Sequence, residues 1–129
     1  MKKYIIKVND IQALSIIEAT DFESRLISGQ LNEILLKVIP LSKNVNRDKI
    51  RYLLDELKME MFPELDHNES YGIFNKKTDE KAKVLYDIHQ VIRYKYSWSK
   101  NPKGGIERWF DDPMRTSNEE LPVVNEYTS

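Results

Sequence analysis

The feature that most constrains the fold is residues 78–100, TDEKAKVLYDIHQVIRYKYSWSK, which are typical of one long helix with two unlike faces. At about 100° per residue, one broad face is apolar. Its members are Val84, Leu85, Ile88, Val91, Ile92, Tyr96 and Trp98. The opposite face carries hydrogen-bonding groups at i, i+4, i+7 and i+11, namely Tyr86, Gln90, Arg93 and Ser97. This predicts that the apolar face is the centre of a small core.

Two further helices are expected before this one, which gives a three-helix domain. The first begins after Asn9, whose capping-box partner is Gln12, and it is expected to continue to Pro40. Gly29 lies in its middle and should mark a kink or a close contact. The second helix is capped by Asn46 and stops before Pro63. Its apolar stripe follows helical spacing: Ile50, Leu53, Leu54, Leu57 and Met61. Thr78 is the expected cap of the third helix.

A small β-ribbon is expected beside the helices. Residues 2–8, KKYIIKV, are β-branched and aromatic, and residues 106–110, IERWF, could pair with them as a second antiparallel strand. The predicted fold class is therefore mainly α, with a minor α+β character from this ribbon. We expect residues 1–112 to form a single helical domain and residues 113–129 to form an extended tail packed on its surface.

Composition excludes several classes of function. The 129 residues include no cysteine, so disulfides, thiol nucleophiles and zinc-thiolate sites are excluded, and a reducing cytoplasm fits best. No apolar run is long enough to span a bilayer. The net charge of −1 argues against duplex nucleic acid as a partner. Residues 93–108 are nevertheless basic and the tail is acidic, so the tail could fold back on them.

Catalytic signals are weak. His67 has polar neighbours that could bind a metal, but a solvated loop explains them better. His89 and Arg93 are one turn apart, and a surface pair explains this spacing as well as catalysis does. No phosphate loop, dinucleotide fingerprint or nucleophile elbow is present. We therefore expect no enzyme, no catalytic residue, no metal site and no cofactor.

Two sequence features suggest binding rather than catalysis. The arginines, among them Arg25 and Arg93, are fork donors suited to phosphate, and the aromatic residues offer faces for a nucleobase. A purely structural interpretation has the aromatics in the core and the arginines paired with acids such as Asp21. Separately, Ala19, Phe22 and Leu26 form a second apolar patch on the first helix, which predicts a homodimer or higher oligomer.

Four stretches resemble a family of small phage and prophage proteins. They are ATDFESRLISGQLNEI (19–34), FPELDHNESYGIFN (62–75), YDIHQVIRYKYSW (86–98) and GGIERWFDDPMRTSNEELPVVN (104–125). The specific motifs are SRxxxGQ, NxSYGI and DIxQVIR, and the likeness covers nearly the whole chain. It departs from the family at Glu23, where an aromatic residue is expected.

The resemblance implies a small accessory protein in the cytoplasm of an infected bacterium, where such proteins counter host immunity. One class is the nucleotide sponge, which sequesters cyclic dinucleotides or cyclic ADP-ribose derivatives of CBASS and Thoeris defence. The residues implied to bind such a ligand are Arg25, Gln30, Tyr71, Asn75, Tyr86, Gln90, Arg93 and Trp98. The alternative is a protein–protein inhibitor that binds a host defence enzyme through the Ala19 patch or the acidic tail. A nuclease acting on the same signals and a DNA-transaction accessory are weaker alternatives.

Overall fold

Two long antiparallel helices form the frame of the protein in the computed structural model, which describes residues 1–127. Across the described residues the helices are α1 (Asp10–Ile27), α2 (Glu33–Lys37), α3 (Arg47–Met61) and α4 (Glu80–Lys100), followed by a 3-10 turn at Arg108–Phe110. Helices α1 and α4 make the most extensive contact. Ser24 is hydrogen-bonded to Ala82 and Asp10 to Lys100, which shows that the two helices run in opposite directions.

Helix α1 begins as predicted and ends earlier than predicted. The Asn9 side chain accepts from the Gln12 amide at 2.9 Å and the Gln12 side chain accepts from the Asn9 amide at 3.0 Å, which confirms the capping box. The helix stops at Ile27 because Gly29 adopts a φ of 98°. The amides of Gly29 and Gln30 then bond the carbonyls of Leu26 and Arg25, the two bonds of a Schellman motif. The prediction of three helices was therefore wrong, since α2 is separate.

The segment after Gly29 packs with α3 around a small apolar cluster. Its buried members are Leu31, Leu35 and Leu54, and the half-buried residues around it are Ile34, Ile39, Ile50 and Phe62. The Arg47 guanidinium ties α3 to this segment by donating to the carbonyls of Leu35, Ile39 and Pro40. The Asn46 side chain accepts from the Lys49 amide at 3.0 Å, which confirms the predicted cap.

The loop from residue 62 to residue 79 is held by buried polar contacts. The Lys58 ammonium donates to the carbonyls of His67, at 3.0 Å, and of Glu69. The cap of α4 is Asp79, which accepts from the Lys81 amide at 2.8 Å. Thr78 is not the cap, contrary to prediction, because its hydroxyl donates instead to the carbonyl of Gly72.

The predicted two-stranded ribbon was wrong, because residues 1–127 contain no strand. Residues 1–8 are exposed and irregular, and residues 108–110 form the 3-10 turn. Phe110 packs edge-on against Trp98, with ring centroids 5.2 Å apart, and this contact holds the turn against α4. A strand needs a partner for its backbone hydrogen bonds. Here residues 108–110 form a turn against α4 and do not pair with residues 2–8.

Apart from Ala82, the fully buried residues of α4 are polar, and the expected apolar face is only partly buried. Asp87, His89, Gln90 and Ser97 are buried together with Ala82, whereas the predicted apolar residues are half-buried or, for Trp98, exposed. The reason is that the side of α4 bearing Ala82 and His89 faces α1, while the side bearing Asp87 faces the chain after residue 112.

The chain after residue 112 is anchored on the Asp87 carboxylate. Asp87 is 2% exposed and accepts from the amide and hydroxyl of Thr116, at 2.8 and 2.7 Å, and of Ser117, at 3.1 and 2.6 Å. The Gln90 side chain adds a bond in each direction with the backbone of Met114. The division into a domain and a tail at residue 112 stays a prediction, and residues 128 and 129 lie outside the described range.

Gly29→Ala should destabilise the fold by about 1–2 kcal/mol, because its positive φ strains an L residue. The added Cβ would also lie 3.0 Å from the Leu65 side chain. Urea unfolding measures the change. Gly72→Ala is the matched control, since a Cβ there meets nothing within 4 Å and its φ is unstrained. Equal losses at both positions would contradict the assignment of the helix stop to Gly29.

Asp87→Ala should cost about 3 kcal/mol, because it leaves several buried donors without an acceptor. It should also release the chain around Arg115, which lies next to Thr116. Limited trypsin digestion with mass analysis of cleavage after Arg115 measures that release. Asp111→Ala, an exposed acid nearby, serves as the control and should leave the cleavage rate unchanged. Protection of Arg115 in the Asp87 variant would show that other contacts hold this segment.

Candidate functional site

A cluster of charged side chains centred on His89 lies between α1 and α4. His89 is only 5% exposed, and its Nδ1 lies 2.7 Å from the carbonyl oxygen of Ile17. A carbonyl only accepts, so Nδ1 carries the proton and Nε2 presents a lone pair in the neutral ring. Burial lowers the pKa of His89, and the nearby Arg93 and Arg25 guanidinium groups lower it further against the opposing effects of the Ile17 bond and Asp21. The ring is therefore held neutral.

Arg93 reaches His89 from one turn along α4. Its Nη1 lies 3.4 Å from His89 Nε2, and on the other side Asp21 Oδ1 lies 3.9 Å from the same nitrogen. Arg93 Nε is buried and has no hydrogen-bond partner among the described residues. Within residues 1–127 Arg93 also has no carboxylate at ion-pair distance. The buried Nε is thus a donor that the described chain leaves unsatisfied, and the rest of the half-buried guanidinium bonds only His89 among these residues.

Arg25 is held differently, by two carboxylates. Its Nε lies 2.9 Å from Asp21 Oδ2, and its Nη1 lies 3.5 Å from Glu33 Oε1 and 3.3 Å from Gln30 Oε1. The other oxygen of Glu33, Oε2, is buried without a partner in the described chain. Asp21, Arg25, Glu33, His89 and Arg93 together are called the arginine–histidine cluster below.

A pocket of about 270 Å³ adjoins this cluster, with Glu33 in its wall. Because α1 ends and the chain turns at Gly29, residues 29–33 line one side of the pocket. Leu54, Asp55 and Lys58 of α3 line the other side. His67 closes it from the loop, with Nδ1 4.0 Å from Asp55 Oδ2. The lining of the pocket is therefore mainly polar, with Leu31 and Leu54 as its apolar side chains.

The structure brings part of the predicted ligand-binding set together. Arg25, Tyr86 and Arg93 lie near His89, with the Tyr86 ring centroid 5.9 Å from that of His89, and Gln30 accepts a hydrogen bond from Arg25. The assignment of these side chains to a ligand stays a prediction. Their proximity follows from the antiparallel packing of α1 on α4.

The other predicted residues lie elsewhere and have local partners. The Gln90 side-chain amide donates to the Met114 carbonyl and accepts from the Met114 amide. Trp98 packs against Tyr94 and Phe110. Tyr71 donates to Glu64 at 3.0 Å. Asn75 accepts from the Lys77 amide at 2.9 Å. Nothing in the described structure joins these four side chains into one site with His89.

Sequence reasoning did not place His89 at the centre of a site, and it weighed a surface pair with Arg93 equally with catalysis. The surface pair was wrong, since the ring is buried against α1. A signal was available: His89 follows Tyr86 by three residues and precedes Arg93 by four, so all three share a helical face. Asp21 was noted only as an acid that could pair with an arginine. It approaches His89 through the packing of α1 on α4, whereas Glu33 reaches the pocket because the chain turns at Gly29, and spacing alone gives neither contact.

Comparison with known proteins adds no family. No protein-family model matches the sequence, and no curated protein or solved structure is significantly similar to it. Among residues 1–127 no helix is long and apolar enough to cross a membrane, and no group of three or more potential metal ligands comes together. The phage-protein resemblance stays a prediction.

The free energy of unfolding should fall as the pH drops below about 6.5, the ordinary pKa of histidine. In this range His89 takes up a proton in the unfolded chain but stays neutral in the folded protein, where it is buried. Protonation therefore favours the unfolded state. Urea unfolding at pH 7 and pH 5 measures the effect. His89→Asn is the matched control, because its amide can still donate to Ile17 but does not titrate. An equal pH dependence in both proteins would contradict a neutral, buried His89.

Proposed function

We propose that the protein is a phage-encoded, non-enzymatic anti-defence protein that binds and sequesters a nucleotide immune signal. The observation that carries the proposal is Arg93, whose buried Nε has no acceptor and whose guanidinium has no carboxylate partner in the described residues. A phosphate suits the planar guanidinium of Arg93, because two parallel N–H groups of a guanidinium can donate to two oxygens of one phosphate.

His89 makes such a site responsive to the charge of its ligand. The free protein holds the ring neutral, with Nε2 turned toward Arg93 and Asp21. An anion bound at Arg93 would favour the imidazolium and would raise the pKa of His89. The protonated ring then gains a second donor at Nε2. Binding of a phosphodiester is therefore expected to take up a proton and to strengthen as the pH falls from 7 to 6.

The remainder of a nucleotide could use the groups next to Arg93. Tyr86 offers an aromatic face beside His89, and the adjoining pocket presents Glu33 and Asp55 to amino groups of a base. Tight binding without turnover is sufficient for sequestration, since the signal is removed by mass action. The proposed setting is the cytoplasm of the infected host, and the signal class is a cyclic dinucleotide of CBASS type or a cyclic ADP-ribose derivative of Thoeris type.

A second candidate is an inhibitor that binds a host defence enzyme directly. The observation that favours it is the N-terminal segment, in which Tyr4, Ile5 and Ile6 are 82%, 93% and 78% exposed. Apolar side chains displayed in this way are typical of a segment that orders on a partner surface. This candidate predicts that deleting residues 2–8 abolishes anti-defence activity while Arg93→Ala retains it.

Isothermal titration with a cyclic dinucleotide and with cyclic ADP-ribose tests the first proposal. Arg93→Ala should weaken the binding of whichever probe binds by about 100-fold, because a desolvated charge-assisted bidentate contact is lost. Arg93→Lys keeps the charge and should recover only part of the affinity. Arg51→Ala removes an exposed arginine paired with Asp48 and is the matched control.

Two further results decide between the candidates. Native mass spectrometry of protein purified from bacteria with an active nucleotide-signalling defence should show a stoichiometric phosphorylated small molecule. Binding that Arg93→Ala leaves intact would refute the site assignment. Protein that carries no small molecule, binds neither probe and captures one defence enzyme would refute sequestration in favour of the inhibitor.

A further inference from the structure

Helix α3 leaves much of its apolar stripe uncovered. Of the residues whose helical spacing predicts a buried face, Leu54 is buried and Ile50 is half-buried. Leu53, Leu57 and Met61 are 50%, 46% and 53% exposed. Leu53 and Leu57 line a shallow groove of about 410 Å³ together with Glu56, Met59 and Glu60. An apolar strip of this kind on a regular helix is typical of a helix–helix interface.

Two charges beside this strip have no partner in the protomer. Lys49 lies in the first turn of α3 and Glu60 in the last, where Asp48 and Lys58 already supply the signs that the helix dipole favours. Within residues 1–127 neither Lys49 nor Glu60 forms an ion pair. An antiparallel neighbouring α3 would bring an opposite charge to each of them.

The strip is complementary to itself in the antiparallel direction. When Leu53 lies level with Leu57 of a second copy, Leu57 lies level with Leu53 of that copy. In the same register, Lys49 and Glu60 of the second copy are offset by only one residue, which is about 1.5 Å along the helix axis. At 100° steps Lys49, Glu56 and Glu60 lie on one flank of the strip, and in an antiparallel pair like flanks face each other. The two Glu56 side chains then approach each other near the twofold axis, and their repulsion opposes the two Lys49–Glu60 attractions. Every other contact then occurs twice, as twofold symmetry requires.

We propose that α3 pairs antiparallel with α3 of a second copy of this chain, with Leu53 and Leu57 at its centre and Lys49–Glu60 ion pairs at its ends. This interface differs from the Ala19, Phe22 and Leu26 patch expected from the sequence. Phe22 and Leu26 are half-buried within the protomer, so that patch offers less exposed apolar surface. The proposal is independent of ligand binding, since it uses no residue of the arginine–histidine cluster.

Sedimentation equilibrium of the full chain tests the pairing. Leu53→Glu should raise the dimer dissociation constant by about 100-fold, because the buried charge enters the twofold interface twice. Lys49→Glu should raise the constant by about tenfold through repulsion from Glu60. The double variant with Lys49→Glu and Glu60→Lys should restore the original affinity, an outcome that a merely structural role for either residue would not produce. Far-UV circular dichroism verifies that each variant is folded.

Ala19→Glu is the matched control at the competing patch, since Ala19 is exposed and the substitution should leave the dimer intact. A dimer that Ala19→Glu dissociates and Leu53→Glu leaves intact would overturn the proposal. So would a wild-type chain that remains monomeric at high concentration, or a double charge swap that fails to restore affinity lost in Lys49→Glu.

Discussion

The hydrogen bonds that cross from α1 to α4 are the constraint on which the rest of the structure depends. His89 Nδ1 lies 2.7 Å from the Ile17 carbonyl and Ser24 Oγ lies 2.8 Å from the Ala82 carbonyl, and all four residues are buried. Apolar burial is not directional, so by itself it holds the helices together without selecting one register. Directional bonds to carbonyls select that register, because a shift of one residue would leave a buried donor unpaired.

This register also creates the arginine–histidine cluster. Once Ile17 is opposite His89, Asp21 lies one turn further along α1 and faces the other ring nitrogen, next to Arg93. The protein thus holds a neutral histidine and an incompletely bonded arginine inside its main helix contact. Buried polar groups without partners usually lower stability. Their presence here is what distinguishes the site from an ordinary helix interface.

Local capping signals were predictive at two of the three helix starts, with Thr78 the exception, and long-range contacts were not. The capping groups of Asn9 and Asn46 were foreseen because each bonds within three residues of itself. The ribbon failed because strand propensity does not name a partner, and Phe110 pairs instead with Trp98. Gln90 was expected at a ligand but bonds Met114, a contact set by the return path of the chain. Arg25, Tyr86 and Arg93 were identified as candidates, whereas the burial of His89 against Ile17 followed only from the packed helices.

The anchoring of the late segment on Asp87 has a consequence for biosynthesis. Thr116 and Ser117 follow Asp87 by 29 and 30 residues, so a chain that ends before residue 116 carries α4 without the donors that cover its carboxylate. In such a chain Asp87 keeps its water, and α4 cannot bury that side. A product interrupted before residue 116 would expose an unfinished helix surface, which makes it a substrate for cellular proteases.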